Sequence, residues 1–360
     1  MTTAESEGAA PSPALEAWRE LVDLDRLALW MDEQGLESGP ILEADRPPGG
    51  TQNILVKFRR GDRWFMLRRP PLAPRMNGSE TMRREARVLG ALARSDVPHP
   101  RLIAACPQED ILGAAFYLME PIDGFNATVA LPSPHRDDPA IRREMGFSLV
   151  DGVAALGRVD HVAAGLSDFG RADGFLERQV DRWRKQLASY AEYEGWEGPG
   201  AIEGVDDVAA WLDAHRPASF KPGIIHGDYH LANVIYRFDS PALAAIVDWE
   251  LTTIGDPLLD MGWILATWPL EGKGAATEHL SVTPWEGFPT ADELVARYAS
   301  QTERDMGHMT WYAVLACYKL GIILEGTHAR AAAGKAARET GDALHAHTLS
   351  LFQRALHWIG

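Results

Sequence analysis

At 360 residues the chain has the length of about two ordinary domains, and with 46% hydrophobic and 24% charged residues it is globular rather than disordered. A formal charge of −16 excludes a general binder of nucleic acid or anionic membrane, because those polyanions demand a basic footprint. Its two cysteines, Cys106 and Cys317, lie far apart and exclude a disulfide scaffold or a zinc ribbon.

Residues 1–20 are Ala-rich and acidic, show no signal-peptide features and are expected to be flexible. Ile54 to Phe58 and Trp64 to Arg68 are short apolar or alternating runs around a Gly61-Asp62 turn signal, which predicts a β-hairpin. Glu80 to Arg94 carries Met82, Ala86, Leu89 and Ala93 at helical spacing and stops before Pro98. Two further strands are predicted at Arg101 to Ala105 and Ala114 to Glu120. Pro121-Ile122-Asp123-Gly124 then breaks the pattern and marks a domain boundary.

Beyond the boundary the chain reads as helical over Ile141 to Leu156, Phe175 to Tyr190, Val205 to His215, Ala291 to Ser300, Met309 to Arg330 and the tail after Ala336. One β-prone island interrupts it, at Ile224-Ile225, Val234 to Phe238 and Ala244 to Val247. The longest apolar stretch, Met309 to Leu324, contains Lys319 and is too short to span a bilayer, so the expectation is a soluble, cytoplasmic protein. Charge is unevenly spread. Residues 51–101 hold twelve Lys and Arg against four acids, a local +8, which leaves −24 on the remainder. That segment is either a solvated basic face or an anion-handling lobe.

The informative stretch is His226-Gly227-Asp228-Tyr229-His230-Leu231-Ala232-Asn233, followed by Asp248-Trp249-Glu250. Each group ends a short apolar run, so each carboxylate should emerge from a strand into a loop. Phosphoryl transfer needs one carboxylate to orient the attacking hydroxyl, and oxygen ligands for the magnesium that neutralises the β- and γ-phosphates. Asp228 and Asn233 can place a base and a metal ligand on one loop, and Asp248 can return as the second ligand. The competing readings are turn-forming Asp and Asn, and a zinc pair from His226 and His230. Gly227 after the Ile pair argues against that zinc pair, because it favours a strand-to-loop exit over a helix.

These residues resemble the signature of the aminoglycoside phosphotransferase and choline kinase families, over about Gly49 to Arg330. The resemblance implies an α+β, bilobal, protein-kinase-like fold. A small antiparallel-sheet nucleotide lobe would cover residues 1–120, and a mainly helical catalytic and substrate-binding lobe residues 121–360. It implies Asp228 as catalytic base, Asn233 and Asp248 as Mg2+ ligands, His226 as a brace for the loop, and ATP as donor. Ile254 to Asp260 matches the segment behind the loop, where Asp256 and Asp260 would serve as caps and hydrogen-bond acceptors.

Such a lobe also needs a cation on a central strand, braced by an acid from the next helix. Alternation puts Trp64, Met66 and Arg68 on one face, which selects Arg68 with Glu85 as partner and leaves Arg69 as the rival. Arg replaces the Lys of many relatives, as in the choline kinase branch, and keeps the charge with a planar geometry. Gly50, Thr51 and Asn53 fall where a phosphate-covering loop is expected, although the full Gly-rich pattern is missing. Glu120 and Ile122 would offer the hinge carbonyl and amide to adenine, since Pro121 cannot donate.

Leu67-Arg68-Arg69-Pro70-Pro71, Val97-Pro98-His99-Pro100 and Ile111 to Tyr117 resemble the kinase domains fused to some acyl-CoA dehydrogenases. That branch implies phosphorylation of 4-hydroxyacyl-CoA thioesters, with the acyl-CoA dehydrogenase expected here on a separate polypeptide. The alternatives are an antibiotic O-phosphotransferase and a catalytically silent nucleotide-binding module. Intact Asp228, Asn233 and Asp248 argue against the silent module. Tyr312, Lys319, Glu325 and Arg330 share one long helix and would either line an acceptor pocket or be solvated. Trp263, Trp268 and Trp311 are expected in the core.

Overall fold

The computed structural model describes residues 17–47, 53–71, 77–269 and 280–360. The flexibility expected of residues 1–20 falls mostly outside them, although Trp18 is already buried in a core. The described chain forms two compact units. One comprises the residues up to Ala93 together with Pro100–Ile122, and the other Arg94–His99 together with Asp123–Gly360. Residues 94–99 therefore group with the helical unit, where the Ile246 N–H donates to the Pro98 carbonyl at 2.9 Å.

The first unit is an antiparallel sheet of β1 (Ile41–Asp45), β2 (Ile54–Arg60), β3 (Arg63–Arg69), β4 (Leu102–Cys106) and β5 (Phe116–Met119), in the order β1-β2-β3-β5-β4. The β2–β3 hairpin pairs without a slip from Ile54 opposite Arg69 to Arg60 opposite Arg63, around the Gly61-Asp62 turn. Because side chains alternate, Val56, Phe58, Phe65 and Leu67 share one face and are fully buried. Phe58 stacks on Phe65 at 5.4 Å. Trp30 and Met31 of α1 (Leu24–Glu33) join Phe116 and Leu118 in the same core. Helix α2 (Gly78–Leu92) starts two residues before its predicted limit because the Asn77 side chain accepts the Glu80 N–H.

The second unit contains α3 (Pro139–Arg158), α4 (Gln179–Ser189), α5 (Val205–Ala214), α6 (Leu258–Thr267), α7 (Ala291–Ala299), α8 (Met309–Ala332) and α9 (Arg338–Ile359). Two small antiparallel pairs lie among them. The strands β6 (Gly223–Ile225) and β9 (Thr253–Gly255) make one, and β7 (Val234–Tyr236) and β8 (Leu243–Ile246) the other. These pairs carry the polar loops of interest. Every residue of α6 is buried, and α8 packs along α9, where Tyr318 meets Phe352 edge to face at 5.8 Å. No helix among the described residues is long and apolar enough to cross a membrane.

The first unit depends on its stacked aromatic face. Phe58→Ala should destabilise it by about 3–5 kcal/mol through lost burial and an unfilled cavity. Urea unfolding followed by tryptophan fluorescence measures this, and a loss below about 1 kcal/mol would contradict the packing.

Candidate active site

The loop that follows β6 is anchored from below. The Asp260 carboxylate, on the first turn of α6, accepts the His226 N–H at 2.7 Å and the Gly227 N–H at 2.9 Å. Gly227 has φ +91, and a Cβ there would lie 2.6 Å from the Leu251 carbonyl oxygen, so only glycine fits. Lys319 of α8 donates from Nζ to the Gly227 carbonyl at 3.0 Å and lies 4.4 Å over the Trp263 ring. Burial pushes the Asp260 carboxyl up to about 7 against the pull of its two N–H donors. Burial also lowers the Lys319 ammonium to about 8, although Asp228 and Asp260 favour its charge.

His226 is completely buried. Its Nε2 lies 2.9 Å from the Val247 carbonyl, and Nδ1 accepts the Asp228 N–H at 3.3 Å. Those partners assign the neutral tautomer with the proton on Nε2, and burial lowers its pKa in keeping. The ring thus ties the Asp228 loop to the strand end preceding Asp248. A second tie runs from the Val247 N–H to the Asn233 carbonyl at 2.9 Å.

Asp228 is the hub. Its Oδ1 accepts the Trp263 indole N–H at 3.0 Å and lies 3.1 Å from His230 Nε2. Its Oδ2 accepts Asn233 Nδ2–H at 3.0 Å, and the same nitrogen donates to the Asp228 carbonyl at 2.9 Å. Burial alone would raise this carboxyl. The His230 hydrogen bond and the nearby Lys319 charge prevail and hold it below the usual carboxylate range. Asp248 follows β8 with φ +66, a left-handed conformation rare outside glycine and one that Asp tolerates. Trp249, next to it, meets His226 edge to face at 4.9 Å.

Asp256 and Asp260 act as structural acceptors behind the loop. Asp256 accepts the Leu258 N–H at 3.1 Å and the Tyr312 hydroxyl. The solvated alternative is overturned for Lys319 and Glu325, which are both buried, while Arg330 is half-buried. Trp263 is buried as expected but also reaches Asp228. Trp263 was expected only in the core, His230 only in the competing zinc pair and Lys319 only in an acceptor pocket, so their contacts with the Asp228 loop are new. Lys319, a lone cation in an apolar run, was the readable signal among them.

In the first unit Arg68 and Glu85 are brought together, with Nε to Oε2 at 2.9 Å and Nη2 donating to Oε1 at 3.2 Å. The Tyr117 hydroxyl also donates to Glu85, at 2.6 Å. Arg69 points to the opposite side of β3 and donates to the Leu21 carbonyl. Asn53 is a half-buried bend residue before β2, whereas Gly50 and Thr51 lie outside the described residues. Glu120 and Ile122 follow β5. The Glu120 N–H donates to the Arg101 carbonyl at 2.9 Å and its side chain pairs with Arg63 at 3.1 Å.

A model of the phosphotransferase enzyme family known as APH matches residues 44–306, well over half of the chain. The chain belongs to that family. It is a kinase-type phosphotransferase. Among curated proteins it is 27% identical over 299 residues to acyl-CoA dehydrogenase family member 10 of Mus musculus, covering 81% of the chain and 27% of that protein. It is 26% identical over 306 residues to family member 11 of Rattus norvegicus, covering 82% of the chain and 37% of that protein. The chain thus spans well under half the length of these relatives. A solved structure from Ralstonia eutropha shares 28% identity with a TM-score of 0.75, covering 93% of this chain and 98% of that one. The GDP and kanamycin complex of an aminoglycoside 2''-phosphotransferase, 15% identical with a TM-score of 0.58, agrees in fold and covers 93% and 99%.

The Asp260 carboxyl lies above its ordinary value, so the stability linked to it is complete below about pH 4 and is lost as pH rises through about 7. Urea melts between those limits should show a fall in stability that is missing in Asp260→Asn. Parallel profiles for the two proteins would contradict the raised value.

Proposed function

We propose that this phosphotransferase carries the γ-phosphate of ATP to the hydroxyl of a hydroxyacyl-CoA thioester such as 4-hydroxyacyl-CoA, with Asp228 as catalytic base. The observation that carries the reading is the triple hold on the Asp228 carboxylate by Trp263, His230 and Asn233. A carboxylate fixed in this way can accept a hydrogen bond from the acceptor hydroxyl and aim its lone pair in line with the γ-phosphorus. The new bond joins that oxygen to phosphorus, the bond to the β-phosphate oxygen breaks, and the hydroxyl proton passes to Asp228. In a loose transition state the proton leaves late, so an acid held below its usual range serves by orientation.

Asn233 turns its amide nitrogen toward Asp228, so the amide oxygen is the atom suited to a metal. Together with the Asp248 carboxylate, that makes a hard oxygen donor set that fits Mg2+. When bound, the ion would supply charge neutralisation at the β- and γ-phosphates. Arg68, oriented by Glu85, is assigned to the phosphates. Gly50, Thr51 and Asn53 are assigned to the phosphate-covering loop, and the Glu120 carbonyl and Ile122 amide to adenine.

For the acceptor, support comes from the acyl-CoA dehydrogenase family members among the relatives, and from the local +8 of residues 51–101, which suits a polyanionic thioester better than a polycationic drug. An acyl-CoA dehydrogenase is the partner activity that would act in the same reaction sequence.

With Mg2+ and ATP, the protein should release ADP in the presence of 4-hydroxyvaleryl-CoA and stop when the metal is chelated. Turnover of kanamycin but not of the thioester would overturn the acceptor. Asp228→Ala should lower kcat by about a thousandfold or more, and equal activity would remove Asp228 from the role of base. Trp263→Phe, which deletes one donor to the carboxylate, should lower kcat by about ten- to a hundredfold with little change in the KM for ATP.

A further inference from the structure

A second cluster of potential ligands lies between α8 and α9, apart from the Asp228 loop. Helix α8 presents Glu325 and His328 three residues apart, and α9 presents Asp342 and His345 at the same spacing. Residues three apart share a helix face. Each helix therefore offers one carboxylate and one imidazole to the same seam, an arrangement that helical bundles use to hold metal ions.

Within the seam Glu325 is fully buried. Its Oε2 lies 2.8 Å from His345 Nδ1, and its Oε1 accepts the Trp196 indole N–H at 2.7 Å. The His328 and His345 rings stack at 4.4 Å. His328 Nδ1 is buried without a hydrogen-bond partner among the described residues, and the Asp342 Oδ1 lies 3.6 Å from it. One ligand atom from each of Glu325, His328 and His345 falls within 4.8 Å of the others.

A histidine–carboxylate hydrogen bond accounts for His345 and Glu325 but not for His328. His328 Nδ1 faces the Asp342 carboxylate and the stacked His345 ring, while Arg338 holds Asp342 from its solvent side, so an ion bound by the imidazoles and carboxylates would satisfy the unpartnered nitrogen. We infer that Glu325, His328, His345 and Asp342 form a site for a divalent first-row transition metal of the zinc class. Imidazole nitrogen with carboxylate oxygen is the donor set such ions prefer over Mg2+. Bonds of about 2.1 Å in a tetrahedron put the ligand atoms about 3.4 Å apart, against at most 4.8 Å among Glu325, His328 and His345 and 3.6 Å between His328 and Asp342. Asp342 is half-exposed and gives the ion a way in from solvent. Its hydrogen bond from Arg338, at 3.1 Å, orients it. The ion would fasten α8 to α9 and fix Glu325, and through it Trp196. Its role is structural, and it does not depend on the reaction proposed above.

The test uses the full chain, stripped with a chelator and titrated with Zn2+ in excess Mg2+, so that hard oxygen sites are already filled. One Zn2+ per chain should bind with Kd near or below about 1 µM and raise Tm. The Co2+-loaded protein should show hyperfine-shifted ring N–H signals from two histidines. His328→Gln and His345→Gln should each weaken Zn2+ binding by about tenfold or more and abolish the Tm rise. Uptake unchanged in both variants, no stoichiometric uptake, or Co2+ spectra without imidazole signals would each overturn the site. The spectra come from the unmodified protein, so the inference is decided even where a variant fails to fold.

Discussion

The two hydrogen bonds from the His226 and Gly227 amides to the Asp260 carboxylate are the constraint on which the reactive loop depends. A strand that ends at Ile225 leaves its next two N–H groups without a ladder partner, and buried donors need acceptors. Asp260 supplies both from one side chain. Lys319 completes the arrangement by donating to the Gly227 carbonyl. Three of the four backbone polar groups of His226 and Gly227 are then engaged by α6 and α8. Gly227 allows the positive φ of this turn and the close approach of Leu251, which a side chain would strike.

From this anchor the order spreads through one residue. His226 holds Asp228 by its backbone N–H and Val247 by its carbonyl, so one buried neutral ring sets the spacing between the Asp228 loop and the turn that carries Asp248. A protonated ring could not accept the Asp228 N–H, so burial, which lowers its pKa, also preserves the clamp. The first unit achieves rigidity differently. There Glu85 takes both Arg68 and the Tyr117 hydroxyl. A buried pair with this many hydrogen bonds is a positioning device more than a source of stability, because desolvation offsets most of its attraction.

How much of this was legible in the sequence depended on whether the signal was local. The β2–β3 hairpin was readable because alternation and the Gly61-Asp62 turn agreed, and alternation also put Arg68 and Arg69 on opposite faces of the strand. Asp228, Asn233 and Asp248 stood out by their spacing. Strand β1 was not readable, since Glu43 interrupts its alternation with φ +52 and the pairing slips between Leu42 and Asp45. Helix α6 is buried on every side and so carries no amphipathic period. Helix α1 did carry one, with Asp23 as cap and Leu27, Trp30 and Met31 on one face. The contact of Trp263 with Asp228 joins residues 35 positions apart, and no pattern within either segment encodes it.

The same long-range contacts explain why Asn233 is an amide in a site rich in carboxylates. Its nitrogen donates to Asp228 twice, to the carboxylate and to the carbonyl. A carboxylate at that position would have no proton to give. It would also set a like charge against Asp228, raising the Asp228 pKa and loosening the hold on its carboxylate. An amide supplies the donor that both Asp228 oxygens need and keeps its own oxygen available as an acceptor. Trp263 and His230 then hold the other carboxylate oxygen without adding negative charge. The side chains around Asp228 thus hold a half-buried carboxylate in one orientation and set no like charge directly against it.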